Sequence, residues 1–126
     1  MISFTTFILT LLALFSLSLS APMRRDVFVP PIIYPRASVV WIAGQHHNVT
    51  WETDDAPVNI TNGIGRVYLA TNTIIDLDHP LAVGFNILDG RVAIQVPSVP
   101  TGQNYSIVLF GDSGNYSPQF TIVGLQ

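Results

Sequence analysis

The residues that could carry chemistry in this chain are mostly sites for attaching sugar, not groups that break bonds. The triplet Asn-x-Ser/Thr, the acceptor for N-linked glycans, occurs at Asn48, Asn59, Asn104 and Asn115. Each of these asparagines directly precedes an apolar residue. Successive side chains of a strand point to opposite faces, so apolar neighbours that point inward leave the asparagines in solvent. We therefore predict four candidate N-glycosylation sites.

Two groups of polar side chains have the residue types of a metal site but not its spacing. His46 and His47 are adjacent, so in a strand they point to opposite faces and make a poor chelate. Asp76, Asp78 and His79 place two carboxylates on one face but lack the glycine and the spaced oxygen ligands of a calcium loop. Both groups are interpreted as loop residues, and we predict neither a metal nor a cofactor.

The residue combinations typical of hydrolytic enzymes are missing from the sequence. There is no cysteine, no Gly-x-Ser-x-Gly turn, and no motif that pairs one of the three histidines with a serine. Two carboxylates of a glycosidase are paired in space and not in sequence, so the sequence leaves that class open. Such enzymes normally need a long cleft, however, which a chain of this length rarely builds. We predict a protein that is not an enzyme and has no catalytic residues.

Composition excludes other kinds of partner. Five arginines and no lysine stand against eight acidic residues, so the chain cannot neutralise a row of phosphates and nucleic acid is excluded. The absence of cysteine excludes thiolate zinc sites and disulfides. The 48% hydrophobic content includes an apolar run over residues 8–19, which has the length of a signal-peptide core and is too short to span a bilayer.

The N-terminal residues predict a secreted protein. Ser18 and Ser20 supply small side chains for cleavage after Ser20, so residues 1–20 are predicted to be a signal peptide. Cutting after the dibasic pair Arg24-Arg25 would remove residues 21–25 as a short propeptide, although an exposed basic pair in a tail remains the alternative. Residues 26–126 then form one acidic domain with three arginines and eight acidic residues. We expect it to be extracellular and to leave the membrane after signal cleavage.

The rest of the chain alternates between apolar and polar residues as strands do. Turn residues separate the alternating segments, and Asp89-Gly90 between two of them predicts a β-hairpin. Seven or eight short strands in about 100 residues favour an all-β immunoglobulin-like or fibronectin-like sandwich, without disulfides, in which Val49 and Trp51 are buried. The predicted strands span residues 28–34, 39–42, 48–53, 65–71, 81–88, 91–96, 105–110 and 120–123.

Two local features sharpen this expectation. The segment from Pro100 to Tyr105, followed by an alternating strand, resembles the tyrosine corner of such sandwiches, in which a tyrosine hydroxyl bonds back to the backbone a few residues upstream. Prolines 30, 31 and 35 suit an irregular first strand at a sheet edge, where a missing N–H matters least.

Several motifs together resemble a known fungal family. They are Pro31–Pro35 (PIIYP), Val40-Trp41-x-x-Gly44 with Val49-Thr-Trp51, the pair Val96-Pro97 with Gly102-Gln-Asn-Tyr105-Ser-Ile, and Tyr116–Ile122 (YSPQFTI). The chain is similar to the immunoglobulin-like module at the N-terminus of yeast β-1,6-glucan synthesis proteins of the Kre/Knh type, which also occurs in serine/threonine-rich, GPI-anchored wall proteins. The resemblance covers residues 31 to 123 and implies an extracellular, non-enzymatic domain associated with the fungal wall.

The resemblance leaves two functions open. Without the serine/threonine-rich stalk and the hydrophobic C-terminal tail of larger members, we expect a small, freely secreted single-domain protein. It could bind a wall polysaccharide through exposed aromatic faces, for which Tyr34, Tyr68 and Tyr116 are available. Alternatively, it could be an effector-like interaction protein that binds an extracellular protein through an edge strand or loops.

Overall fold

The structure, a computed structural model, describes residues 28–60 and 62–125. The predicted signal peptide, the short propeptide and the processing positions Ser20 and Arg25 lie outside the described residues. Within the described residues there is one 3-10 helix, Ile87–Asp89, and the strands are β1 Ile32–Tyr34, β2 Val40–Ile42, β3 His46–Trp51, β4 Ile64–Thr71, β5 Ile74–Ile75, β6 Ala82–Asn86, β7 Arg91–Gln95, β8 Gly102–Phe110, β9 Gly114–Tyr116 and β10 Phe120–Val123.

The strands form two sheets. The small sheet has the order β1-β3-β7 and is antiparallel. The large sheet has the order β2-β10-β8-β4-β5, with β6 also paired to β4 and β9 also paired to β8; only β2 and β10 are parallel. The predicted all-β sandwich without disulfides is confirmed. The described strands outnumber the predicted ones because two short strands, β5 and β9, lie in segments for which no strand was predicted.

The core lies between the two sheets and consists of inward-facing side chains from both. Val49 and Trp51 on β3 are 0% and 3% exposed, as predicted. They face an inner layer of the large sheet made of Val67, Leu69, Trp41, Ile107, Leu109, Phe120 and Ile122. Large aromatic and branched side chains account for most of this core, which explains how the fold is held without a disulfide.

The tyrosine corner is confirmed. The hydroxyl of Tyr105, the fourth residue of β8, donates a hydrogen bond to the backbone carbonyl of Pro100. The prediction of an irregular edge strand is confirmed as well, because β1 pairs only with β3 and its register shifts between Ile32 and Tyr34. Its regular part is shorter than predicted, since Pro30 and Pro31 have no N–H to donate.

The predicted hairpin at Asp89-Gly90 is wrong. The strand before it, β6, pairs with β4 in the large sheet, whereas the strand after it, β7, pairs with β3 in the small sheet. The 3-10 helix between them carries the chain from one sheet to the other, and the side chain of Asn86 accepts a hydrogen bond from the Leu88 N–H at its start. Gly90, with φ of 75°, ends this helix, so its left-handed conformation serves a helix cap and not a hairpin turn.

A tight hairpin occurs instead between β4 and β5. Its two central residues, Asn72 and Thr73, both have positive φ, at 51° and 68°. This is the backbone pattern of a type I′ turn. The turn was not predicted because threonine, a β-branched residue, rarely adopts this conformation.

One edge of the large sheet is the strand β2. Its last residue, Ile42, donates its backbone N–H to Oε1 of Gln45 over 3.1 Å. The Ile42 carbonyl in turn accepts a hydrogen bond from the backbone N–H of Gln45 over 3.0 Å. Gln45 therefore satisfies both backbone groups of the residue that ends the edge strand.

Among residues 28–60 and 62–125, no helix has the length and hydropathy needed to cross a membrane.

Candidate functional site

The two outer faces of the sandwich differ in character. On the small sheet, the outward side chains of β3 are His46, Asn48 and Thr50, and those of β7 are Arg91, Ala93 and Gln95. On the large sheet, β4, β8 and β9 turn mostly apolar and aromatic side chains outward. In a sheet with one face in water, the outward side chains of each strand are normally polar and the inward ones apolar. The outer face of the large sheet departs from this pattern.

Three aromatic residues on this face form what we call the aromatic strip: Tyr68 on β4, Phe110 on β8 and Tyr116 on β9. The rings of Tyr68 and Phe110 meet edge to face, with centroids 5.6 Å apart. Arg66 lies directly opposite Phe110 in the strand register, and its guanidinium carbon is 5.9 Å from the centroid of that ring. The guanidinium therefore covers one end of the strip through a cation–π contact.

Tyr116 joins the strip to the β4–β5 turn. It lies opposite Val108 on β8, and its hydroxyl donates a hydrogen bond to the carbonyl of Thr73 over 3.3 Å. Because β8 lies between β9 and β4, this bond bridges over β8. The outward-facing Ser106 and Val108 of β8 are accordingly only 2% and 0% exposed, whereas Tyr116 itself remains 44% exposed.

A shallow groove and an amide pair lie beside the strip. The groove, of about 250 Å³, is lined by Arg66, Tyr68, Leu77 and Phe110. At the β4–β5 turn, Nδ2 of Asn104 donates a hydrogen bond to Oδ1 of Asn72 over 2.7 Å. This bond leaves the Asn72 amide nitrogen as a donor and the Asn104 amide oxygen as an acceptor.

This arrangement suits a sugar chain better than a charged substrate. The C–H faces of a sugar ring can pack on aromatic side chains, while amide and guanidinium groups bond its hydroxyls. Concave, largely apolar sites with a few placed polar groups are the usual form of ligand sites.

Comparison of the chain with models of known protein families, with curated proteins and with solved structures finds no match.

Of the tyrosines predicted to offer exposed faces for sugar stacking, the structure places Tyr68 and Tyr116 on either side of Val108 on one sheet face and Tyr34 elsewhere. The prediction of an exposed face is wrong for Tyr68, which is 7% exposed because neighbouring side chains cover it, whereas Tyr116 is 44% exposed. Tyr34 is half-buried on β1, and its hydroxyl accepts a hydrogen bond from Nε1 of Trp41 over 3.0 Å. Sequence reasoning did not select Phe110 or Arg66. The alternation along β4 does predict that Arg66 lies on the same face as Tyr68, because the two residues are two positions apart in the strand.

The four sequon asparagines are not equivalent. Asn48 and Asn59 are exposed. Asn104 and Asn115 are half-buried, and the Nδ2 of each donates a hydrogen bond within the protein. Glycosylation at each position stays a prediction.

The prediction that the histidine pair lies in a loop is wrong, because His46 and His47 are the first two residues of strand β3. The two side chains do point to opposite faces: His46 is exposed, and His47 turns inward to stack on Trp41, with centroids 4.8 Å apart and planes 11° apart. Burial consequently lowers the pKa of His47. Within the part of the chain that the structure describes, no three metal-binding side chains come together.

The second polar group, Asp76, Asp78 and His79, lies in the loop after β5, as predicted. The Asp76 carboxylate lies 3.0 Å from Nδ1 of His79 and accepts a hydrogen bond from the Asp78 backbone N–H over 3.2 Å. These contacts are within an exposed loop, and the side chain of His79 is 82% exposed.

The lowered pKa of His47 predicts a stability that falls in mild acid. Below its ordinary value of 6.5, the unfolded chain binds a proton that the folded protein resists, so folding should weaken as the pH falls through and below about 6.5. We expect urea midpoints at pH 7.5 and pH 5 to differ more for the natural protein than for His47→Phe, which keeps a ring on Trp41 but does not titrate.

Glu52 also contributes to the pH dependence of the stability. Repulsion from the neighbouring Asp54 raises the pKa of Glu52, so protonation there favours the folded state as the pH falls below its raised pKa, opposite in sign to the His47 effect. Because both proteins contain Glu52, its effect cancels in the difference between them. Equal pH dependence of the two proteins would contradict the role given to His47.

Proposed function

We propose that the protein is a small secreted, non-catalytic immunoglobulin-like protein of the cell wall or extracellular matrix, and that it binds polysaccharide through the aromatic strip. The observation that carries the proposal is the grouping of Tyr68, Phe110 and Tyr116 with Arg66 on one outer sheet face. Arg66 is the one residue of the Asp, Glu, Lys, Arg and His types among the residues that line the groove in this face. A neutral sugar chain is the ligand that this composition fits best.

The resemblance to the fungal wall module adds support from a different direction. The residues that carry it include Trp41 and Trp51, which are buried, and Tyr105, which makes the tyrosine corner. These are residues of the fold, whereas the aromatic strip belongs to the surface. The resemblance thus supports the location in the wall, and the strip supports the kind of ligand.

A second candidate, binding to an extracellular protein, is favoured by the other edge of the same sheet face. Val40, Ile42 and Val123 point outward on β2 and β10 and are 57%, 40% and 38% exposed. Aliphatic side chains grouped on a surface are more typical of a protein interface than of a sugar site.

Sedimentation with insoluble β-glucan and with chitin tests the first proposal. We expect the purified protein to be retained on at least one polysaccharide, and Tyr116→Ala to bind roughly 2- to 10-fold more weakly, the range for one aromatic contact. Tyr116 is the variant of choice because it is the most exposed ring of the strip.

Two variants serve as controls. Tyr116→Phe keeps the ring and should bind nearly as well as the natural protein. Val40→Ser changes the aliphatic edge and should leave polysaccharide binding unchanged while weakening a protein contact. A protein that stays wholly in the supernatant with every wall polysaccharide would rule out the first candidate in favour of the second.

A further inference from the structure

The four sequons differ in what their acceptor nitrogen does in the folded protein. N-linked glycans are attached to the side-chain nitrogen, Nδ2, of asparagine. The folded protein can therefore accommodate a glycan readily where that nitrogen faces solvent. Where the nitrogen holds two parts of the fold together, the same glycan has to displace a contact.

At Asn115, the nitrogen is a structural donor. It donates a hydrogen bond to the backbone carbonyl of Pro30 over 2.7 Å and so ties β9 to the segment that leads into β1. The acceptor hydroxyl of the same sequon, on Ser117, is 5% exposed, accepts from the Ile107 N–H and donates to the Pro118 carbonyl, both over 2.9 Å. The acceptor nitrogen and the hydroxyl of this sequon thus both bond to other groups of the protein.

Asn104 is in a similar position. Its Nδ2 donates to Oδ1 of Asn72, and its backbone carbonyl accepts from the Asn72 N–H over 3.0 Å. These two bonds fix the β4–β5 turn against β8. The acceptor residue of this sequon, Ser106, is 2% exposed beneath the bridge that Tyr116 makes to Thr73.

Asn48 and Asn59 have open surroundings. Asn48 points outward from β3, and its direct neighbour on β7 is Ala93, whose small side chain leaves room for a sugar ring. Asn59 is exposed, and its chain neighbours Val58, which is 98% exposed, and Ile60 line a groove of about 420 Å³. The first sugars of a glycan at Asn59 would cover apolar side chains that the protein itself leaves in water.

We propose that the secreted protein carries N-glycans on Asn48 and Asn59 and none on Asn104 and Asn115. Glycans then cover the outer face of the small sheet and the groove beside Asn59. The aromatic strip, which contacts Asn104 through the β4–β5 turn, stays bare. The inference rests on the predicted secretory route and does not depend on what the strip binds.

Peptide mapping of the full chain secreted from a eukaryotic host tests the proposal. Enzymatic release of N-glycans converts each glycosylated asparagine to aspartate, so mass spectrometry identifies occupied sites one by one. We expect conversion at Asn48 and Asn59 only. A glycan at Asn104 or Asn115 in folded, secreted protein, or a bare Asn48 or Asn59, would overturn it.

Aspartate variants of the unglycosylated protein test separately whether the hydrogen bond from the Asn115 amide stabilises the fold. Asn115→Asp replaces a donor by a carboxylate facing the Pro30 carbonyl, and we expect its melting temperature to fall by about 5 °C or more. Asn48→Asp adds the same charge at an open site and should shift the melting temperature by no more than about 2 °C. Equal shifts in the two variants would contradict the structural role of the Asn115 amide, whatever the polysaccharide assay shows.

Discussion

Trp51→Ala is expected to lower the free energy of unfolding by about 3–5 kcal/mol, the range for removing a buried tryptophan. Trp51 is 3% exposed and contacts Phe85 with ring centroids 5.5 Å apart. Its indole Nε1 donates a buried hydrogen bond to the carbonyl of Ile87 over 2.7 Å. A domain of this size is stable by only about 5–15 kcal/mol, so the variant should lose a large part of its stability.

Trp51→Phe separates the two contributions. It keeps most of the aromatic packing but leaves the Ile87 carbonyl without its buried partner, which costs about 1–3 kcal/mol. Urea denaturation followed by far-ultraviolet circular dichroism measures both variants without relying on tryptophan fluorescence. If Trp51→Phe is as stable as the natural protein, the indole hydrogen bond does not contribute to stability.

Gly65→Val is expected to destabilise the protein by about 1–3 kcal/mol through overpacking. A Cβ atom at Gly65 would overlap the ring of Phe85, the residue opposite it on β6, and even the third-nearest ring atom would be only 2.8 Å away. The ring can move only by leaving its contact with Trp51. Valine favours strands, so propensity alone would predict the opposite effect.

Gly63→Val is the matched control, because a Cβ atom at Gly63 has no neighbour within 4 Å. Its urea midpoint should change little. A second check uses Phe85→Ala: the cost of Gly65→Val should shrink in that background, since the ring that causes the overlap is gone. A cost of Gly65→Val that is the same with and without the Phe85 ring would show that overpacking is not its cause.

Alternation along the chain was enough to predict the fold class and part of the core. The pattern around Val49 and Trp51 placed both inside. The proline and turn residues before Tyr105 predicted that its hydroxyl bonds back to the backbone, and the structure shows the Pro100 carbonyl as the partner. These features are local, because the side-chain period of a strand determines which residues share a face.

The errors have a common physical cause, which is that strand pairing is not local. Asp89-Gly90 has the residues of a hairpin turn, but β6 pairs with β4 in the large sheet and β7 pairs with β3 in the small sheet. The chain therefore crosses from one sheet to the other at this point. The aromatic strip likewise depends on the register of β4, β8 and β9. Only that register sets Arg66 opposite Phe110 and Val108 opposite Tyr116.

The two hydrogen bonds between Gln45 and Ile42 have a consequence for the protein at high concentration. An edge strand with free backbone groups is a template on which a second chain can add a strand, the first step of many aggregates. By bonding both the N–H and the carbonyl of Ile42, Gln45 removes the last residue of β2 from that template. Exposed aliphatic side chains can therefore remain on this edge with less risk of strand-by-strand polymerisation.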